Sequence, residues 1–158
     1  MIQTFIGAGS NLGNREANLK EARERLAAAS GIKIKKVSPV YETDPVGGPE
    51  QGKYLNAVWE VETNFSPPEL LKEILSIEAR MGRRRTVPNA PRTIDLDILF
   101  YGDQILQQTG LQIPHPRLHE RWFVLKPLAD LAPDFIHPEL KKTIKSLLEE
   151  NLARNQKP

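Results

Sequence analysis

Two aspartates two residues apart carry the densest chemical signal in this chain. They lie in Ile94-Asp95-Leu96-Asp97-Ile98-Leu99-Phe100. Alternation on a strand puts Asp95, Asp97, Leu99 and Tyr101 on one face and Ile94, Leu96, Ile98 and Phe100 on the other, with the two acids roughly 6–7 Å apart at Cα. Carboxylates so placed can converge on one magnesium ion or bridge two, because hard cations prefer oxygen ligands. A solvated strand face carrying two acids is the plain alternative. The apolar flanks suggest instead a central strand, where paired carboxylates need a counter-charge.

Immediately before this strand, residues 80–92 hold five arginines and no acid. Arginine never loses its charge and grips phosphate oxygens through two parallel N–H bonds. An arginine cluster beside a magnesium site is the equipment of phosphoryl transfer; taken alone, the segment reads equally as a basic solvated loop. The stretch Pro114-His115-Pro116-Arg117-Leu118-His119-Glu120-Arg121-Trp122-Phe123 offers histidine, arginine and aromatic groups suited to phosphate or base contact. Tyr54 and Asn56, beside the loop at Thr43–Gly47, would suit a planar polar heterocycle through stacking and an amide edge, or be ordinary strand surface. Gly7-Ala8-Gly9-Ser10-Asn11-Leu12-Gly13 lacks the Walker lysine and misses G-x-G-x-x-G at Leu12, and reads as a strand-to-helix turn.

The elements that must position these groups follow from periodicity. A short strand over residues 2–6 leads into a helix from Arg15 to about Ala29, capped by Asn14 and stopped at Gly31, burying Leu19, Ala22, Leu26 and Ala29. Residues 32–43 read as one strand, with lysines and Pro39 marking an edge. Residues 54–62 form a second, with Leu55, Ala57, Trp59 and Val61 inward. Ser66-Pro67-Pro68-Glu69 is a capping box opening a helix that buries Leu70, Leu71, Ile74 and Ile77 and stops at Gly82. Thr93–Tyr101 is the aspartate strand, turned at Gly102-Asp103 into a hairpin partner near residues 104–113. Proline-broken helical pieces over 115–133 and an amphipathic helix from about Thr143 to Ala153 complete the chain. The order β-α-β-β-α-β predicts an α+β, ferredoxin-like sheet with both helices on one face and a C-terminal hairpin and helices added. The other face then needs those extras or a ligand against it.

Composition narrows the classes. The chain has 158 residues, 22 basic against 20 acidic, no cysteine and 39% hydrophobic residues. That length fits one domain over 1–158 with no second catalytic domain. Without cysteine there are no disulfides, thiolate metal sites or cysteine nucleophile. No 18-residue apolar run and no secretory leader are present, so a cytoplasmic protein without membrane span is expected. The net charge of +2 conceals +5 within residues 80–92 and −3 elsewhere, one concentrated anion site rather than a nucleic-acid coat.

Ala90-Pro91-Arg92-Thr93-Ile94-Asp95-Leu96-Asp97-Ile98-Leu99 resembles the signature of the hydroxymethyl-dihydropterin pyrophosphokinases of folate biosynthesis. Gly9-Ser10-Asn11-Leu12-Gly13, Tyr41-Glu42-Thr43-Asp44-Pro45-Val46-Gly47, Tyr54-Leu55-Asn56 and Ile113-Pro114-His115-Pro116-Arg117 fit the same family in order and spacing. The resemblance implies transfer of pyrophosphate from ATP to the hydroxymethyl group of a reduced pterin, with release of AMP. It implies that Asp95 and Asp97 hold two Mg²⁺ ions and that Arg83 and Arg92 act in catalysis. Glu78, Arg85, Arg92, Ile98, His115 and Arg121 would bind ATP. Thr43, Pro45, Val46, Tyr54, Asn56 and Phe123 would bind the pterin. Pro88 and Asn89 stand where many relatives have a basic residue, some followed by an aromatic; the loop around them is expected to order on nucleotide binding. The implied partners are the two small-molecule substrates, with no nucleic acid, no membrane and a monomeric state.

Two other classes compete. A nucleic-acid-binding ferredoxin-like module would show aromatics on its central strands, where this chain shows Asp95 and Asp97. A two-metal nuclease or nucleotidyl hydrolase would gather more carboxylates than two.

Overall fold

Nine consecutive extended residues, Ile2–Ser10, form β1, the strand on which the rest of the sheet is registered. The computed structural model describes residues 1–44, 52–82 and 93–155. Strand β1 runs on through Gly7 and Gly9, past the turn expected there. Helix α1 spans Arg15–Ala28, and the Asn14 side chain accepts from the Ala17 N–H as its cap. Leu19, Ala22 and Leu26 are buried and Ala29 only partly, while Gly31 takes φ +101, a left-handed backbone that favours glycine.

Residues 32–43 are two strands, β2 (Ile32–Val37) and β3 (Tyr41–Thr43), not the single strand expected. Both pair with β4 (Tyr54–Thr63). The break falls at Ser38-Pro39, where the Ser38 N–H donates to Val58 O and the Ser38 hydroxyl accepts from Val58 N. Proline supplies no donor, so the serine side chain carries the ladder across the gap. Helix α2 (Pro67–Arg80) opens with the Ser66–Glu69 capping box and buries Leu70, Ile74 and Ile77; Leu71 is only partly buried.

Strand β5 (Asp95–Tyr101) completes an antiparallel sheet of order β2-β4-β1-β5, with β3 beside β4. That is the ferredoxin-like order, but it places the aspartate strand at an edge rather than in the centre. It looks central in sequence because its apolar residues are buried on both faces, while its outer edge is partly occupied. The Leu96 N–H donates to the Glu78 carboxylate at 2.8 Å, and the His115 N–H donates to Leu99 O at 3.1 Å. Residues 104–113 do not pair with β5. They form their own hairpin, β6 (Leu106–Gln108) with β7 (Leu111–Ile113).

A second departure lies within β5. Phe5 pairs with Phe100 but Ile6 with Ile98, so Leu99 is one residue extra. This bulge reverses the alternation beyond it. Leu99 and Phe100 both face away from α1 and α2, while Tyr101 turns back toward them.

Two cores result. On one face α1 and α2 pack on Ile6, Trp59, Val61, Leu96 and Ile98. On the other, helices α3 (Trp122–Leu131) and α4 (Ile144–Asn155) pack on Phe5, Val58, Leu99 and Phe100. Phe135 sits edge-on to Phe5 at 5.2 Å and tilted over Phe100 at 4.8 Å. The C-terminal additions therefore cover only the part of this face that carries large side chains. Among the described residues, the part beyond Phe5, where β1 reads Gly7 and Gly9, is left uncovered by these helices.

Candidate active site

Register explains the opening. Gly9 lies between Asn56 on β4 and Asp95 on β5, and Gly7 between Val58 and Asp97. Continuing outward, Tyr41 on β3 pairs with Asn56 and Thr43 with Tyr54. Directly paired residues share a face, so one row across the sheet reads Tyr41, Asn56, Gly9, Asp95. Strands lie ~4.8 Å apart, so Asn56 and Asp95 stand ~10 Å apart across bare glycine backbone. Glycine in a strand interior marks a close approach of something else to the chain. Here it floors a cavity of about 170 Å³. The β strands supply Tyr54, Asn56, Asp95 and Asp97 to its walls, and the segment entering α3 supplies Arg117, Arg121, Phe123 and Val124.

The polar wall is pre-set. Asn56 is buried, and its Nδ2 donates to Thr43 Oγ1 at 2.7 Å and to Tyr41 O at 3.3 Å. A carbonyl only accepts, so this fixes the amide orientation. Both Asn56 donors are thereby used within the protein. Its Oδ1 lies on the Gly9 side, 3.4 Å from where a Cβ on Gly9 would stand. The group offered to a ligand is an acceptor beside the Tyr54 ring, narrower than the donor-and-acceptor edge expected from the residue type.

A second cavity, about 530 Å³, opens beyond the outer edge of β5. Leu71 and Leu75 of α2, Ile98, Gln108 and Gly110 to Gln112 of the hairpin, His115 and Pro116 line it. Asp97 is the one described residue that lines both cavities. His115 is held neutral, its pKa pushed down to about 4 by burial first, then by the Arg121 charge, with Asp95 opposing and Arg117 adding. Its Nδ1 accepts from the Arg117 N–H at 3.3 Å. The neutral ring then carries its proton on Nε2, a donor for an anion or a carbonyl.

The residues anticipated from sequence separate into four groups. Thr43, Tyr54, Asn56, Phe123, Arg121, Asp95 and Asp97 come together at the first cavity, and Ile98 and His115 at the second. Glu78 lines neither among the described residues; it is buried, and its carboxylate holds β5 through the Leu96 N–H. Arg83, Arg85, Arg92, Pro45 and Val46, with the loop around Pro88 and Asn89, lie outside the described residues. Sequence reasoning read Gly7 and Gly9 as a turn, placed Arg117 only within a stretch suited to phosphate or base contact, and assigned no role to the hairpin residues Gln108 and Gln112. The period-two glycines inside an extended run were the available signal for the floor.

Asp95 and Asp97 fit a hard cation. Both present oxygens on one face where two cavities meet, and no third His, Cys, Asp or Glu joins them in a cluster among the described residues. The remaining ligands would then have to come from substrate and water, which is how magnesium is usually held on polyphosphates. The two central strands, which an RNA-binding sheet would dress with aromatics, present to the first cavity Gly7 and Gly9 on β1 and one aromatic, Tyr54, beside Asn56 on β4, while the aspartates stand on the edge strand β5. Among the described residues no helix is long and apolar enough to cross a membrane.

Comparison with known proteins points to one family. Residues 5–133 match the family described as 7,8-dihydro-6-hydroxymethylpterin-pyrophosphokinase. A 2-amino-4-hydroxy-6-hydroxymethyldihydropteridine pyrophosphokinase of Synechocystis is 43% identical over 145 residues, covering 92% of this chain and 74% of that one. The folic acid synthesis protein fol1 of Pneumocystis carinii is also 43% identical, over 98% of this chain, which spans 21% of its length. A crystal structure of Plasmodium falciparum HPPK-DHPS superposes with a TM-score of 0.79 at 18% identity, covering 97% of this chain and 43% of that one. This last likeness bears on the fold alone.

Proposed function

The chain belongs to the 7,8-dihydro-6-hydroxymethylpterin-pyrophosphokinase family, and from that premise we propose that it transfers pyrophosphate from ATP to the hydroxymethyl group of 6-hydroxymethyl-7,8-dihydropterin. The observation that carries this is the meeting of two cavities at Asp97. A transfer between two substrates needs one pocket for each and a shared wall where the reacting atoms meet.

The pterin would lie on the Gly7–Gly9 floor between Tyr54 and Phe123, with Asn56 Oδ1 accepting from an N–H on its edge. The nucleotide would occupy the second cavity against Leu71, Ile98 and His115, its triphosphate running toward Asp97. The hydroxymethyl oxygen attacks the β-phosphorus. The bond from that phosphorus to the oxygen bridging it to the α-phosphorus breaks, AMP leaves with the electron pair, and the hydroxyl proton is released.

Asp95 and Asp97 would hold two Mg²⁺ ions, which would supply neutralisation of phosphate charge there. Arg121 and Arg117 face the first cavity from the α3 side and would draw in the same anion. Arg83, Arg85 and Arg92 are assigned to phosphate contact and charge stabilisation by likeness to the family. No nucleophilic side chain is needed, so no covalent intermediate is assigned. Incubation of the chain with ATP, Mg²⁺ and the pterin should yield AMP in proportion to pterin consumed. ADP as product, or ATP breakdown without the acceptor, would refute the assignment.

A further inference from the structure

We propose that Tyr41 is a positioning residue for the pterin cavity, holding helix α3, and with it Phe123, at a set distance from Asn56. The proposal rests on the reading that this cavity takes the pterin. Tyr41 lines neither of the two cavities, yet it bonds to Asn56 on one wall of the first and contacts the helix that carries the other. Its backbone carbonyl accepts from Asn56 Nδ2, fixing the amide on the β4 side. Its ring stands edge-on to Trp122 at 6.4 Å, and Trp122 in turn stands edge-on to Phe123 at 6.5 Å. Its hydroxyl donates to the Asp130 carboxylate.

Trp122 opens α3 and Asp130 lies in its last turn, so one side chain grips the helix near both ends. Lys126, one turn before Asp130, pairs with the same carboxylate at 3.3 Å and steadies it. The N-terminal end of α3 has no side-chain cap, so its placement depends on such tertiary ties. Phe123 and Val124 follow directly and form the cavity wall opposite Tyr54 and Asn56. Loss of the hydroxyl should loosen that wall without touching substrate.

The test is steady-state kinetics of Tyr41→Phe, which keeps the ring on Trp122 and removes only the hydroxyl. The KM for the pterin should rise roughly 3- to 30-fold, the scale of coupling carried by residues without ligand contact, while KM for ATP and kcat stay within two-fold. Asp130→Asn keeps an acceptor and should stay near wild type, whereas Asp130→Ala should match Tyr41→Phe. The double variant Tyr41→Phe/Asp130→Ala should be no worse than either single, since both remove one interaction. An unmoved pterin KM in Tyr41→Phe, equal rises in both KM values, or additive losses in the double variant would overturn the positioning role. A wild-type chain that forms no AMP would instead refute the functional reading beneath it, and this proposal with it.

Discussion

Replacing Gly9 by alanine should separate stability from function in opposite directions. The backbone at Gly9 is ordinary strand, so alanine can adopt it. Its Cβ would meet Asn56 Oδ1 and the Tyr54 ring at 3.4 Å and Leu55 O at 3.7 Å, which are normal contacts. Nothing in the protein needs to move. A compatible Gly→Ala change stiffens the unfolded chain, so urea titration should find the variant unchanged or up to ~1 kcal/mol more stable. The same methyl, however, stands on the floor of a cavity of about 170 Å³. A flat ring packed there meets an overfilled site, and overpacking by one methyl costs about 1–3 kcal/mol. At ~1.4 kcal/mol per decade this weakens binding roughly 5- to 150-fold. Calorimetric titration with the pterin and an unreactive ATP analogue reads it directly, and ATP affinity alone should not change. A Gly9→Ala protein that binds the pterin as wild type would show that the glycine floor is not the pterin surface. One destabilised by more than ~1 kcal/mol would show that the glycine serves the fold instead.

Asp97→Ala should fold normally and lose AMP formation by at least ~100-fold, because it would remove a ligand of the proposed Mg²⁺, whose charge would be worth several kcal/mol at the reacting phosphate; retained turnover would refute its role. Glu78→Ala leaves the buried Leu96 N–H without the carboxylate that now accepts it at 2.8 Å, and should cost about 1–3 kcal/mol by urea titration. Ser66→Ala breaks the capping box of α2 and should cost about 1 kcal/mol, a Tm drop of roughly 2–4 °C. His137 should make the fold acid-sensitive. Its Nδ1 accepts from the Glu139 and Leu140 N–H groups, and burial chiefly, aided by His119 and opposed by Glu139, lowers its pKa. The unfolded residue titrates near ~6.5. The stabilisation is therefore complete above that pH and lost as pH falls toward the lowered native value, by at most ~1.4 kcal/mol per pH unit. His115 is shifted the same way, so the check is the difference in urea midpoints between pH 7.5 and 5.5 for wild type and His137→Asn, which should shrink in the variant.

Local chemistry was readable wherever one residue type has one dominant use. Asn14 and Ser66-x-x-Glu69 announce helix starts because their side chains satisfy N–H groups that nothing else reaches. The alternation of Leu55, Ala57, Trp59 and Val61 announces a face, and the spacing of Asp95 and Asp97 places two acids on one side of a strand. Legibility fails where two physical causes write the same letters. Ile98-Leu99-Phe100-Tyr101 is apolar at every position, so no period in it can reveal that Leu99 is a bulge. Gly7 and Gly9 read as a turn because glycine usually serves turns; here it serves by having no side chain. The 104–113 segment carries hairpin signals, but nothing local says that its partner is itself rather than β5.

The edge position of β5 is the feature that sequence alone concealed, and the site depends on it. A central strand has hydrogen-bonded neighbours on both sides, so its side chains reach only what lies above or below the sheet. On an edge strand a side chain can face a cavity over the sheet and another beyond its rim. Asp97 pairs with Gly7 and is a lining residue of both cavities, the second together with Ile98 and His115. Leaving that edge open would invite pairing with another chain. Glu78 and the His115 N–H occupy its backbone groups instead, leaving room beyond the rim for a ligand. One residue can therefore border cavities on different sides of a sheet boundary, an arrangement that β1 or β4 could not provide and that the proposed transfer between two substrates would use.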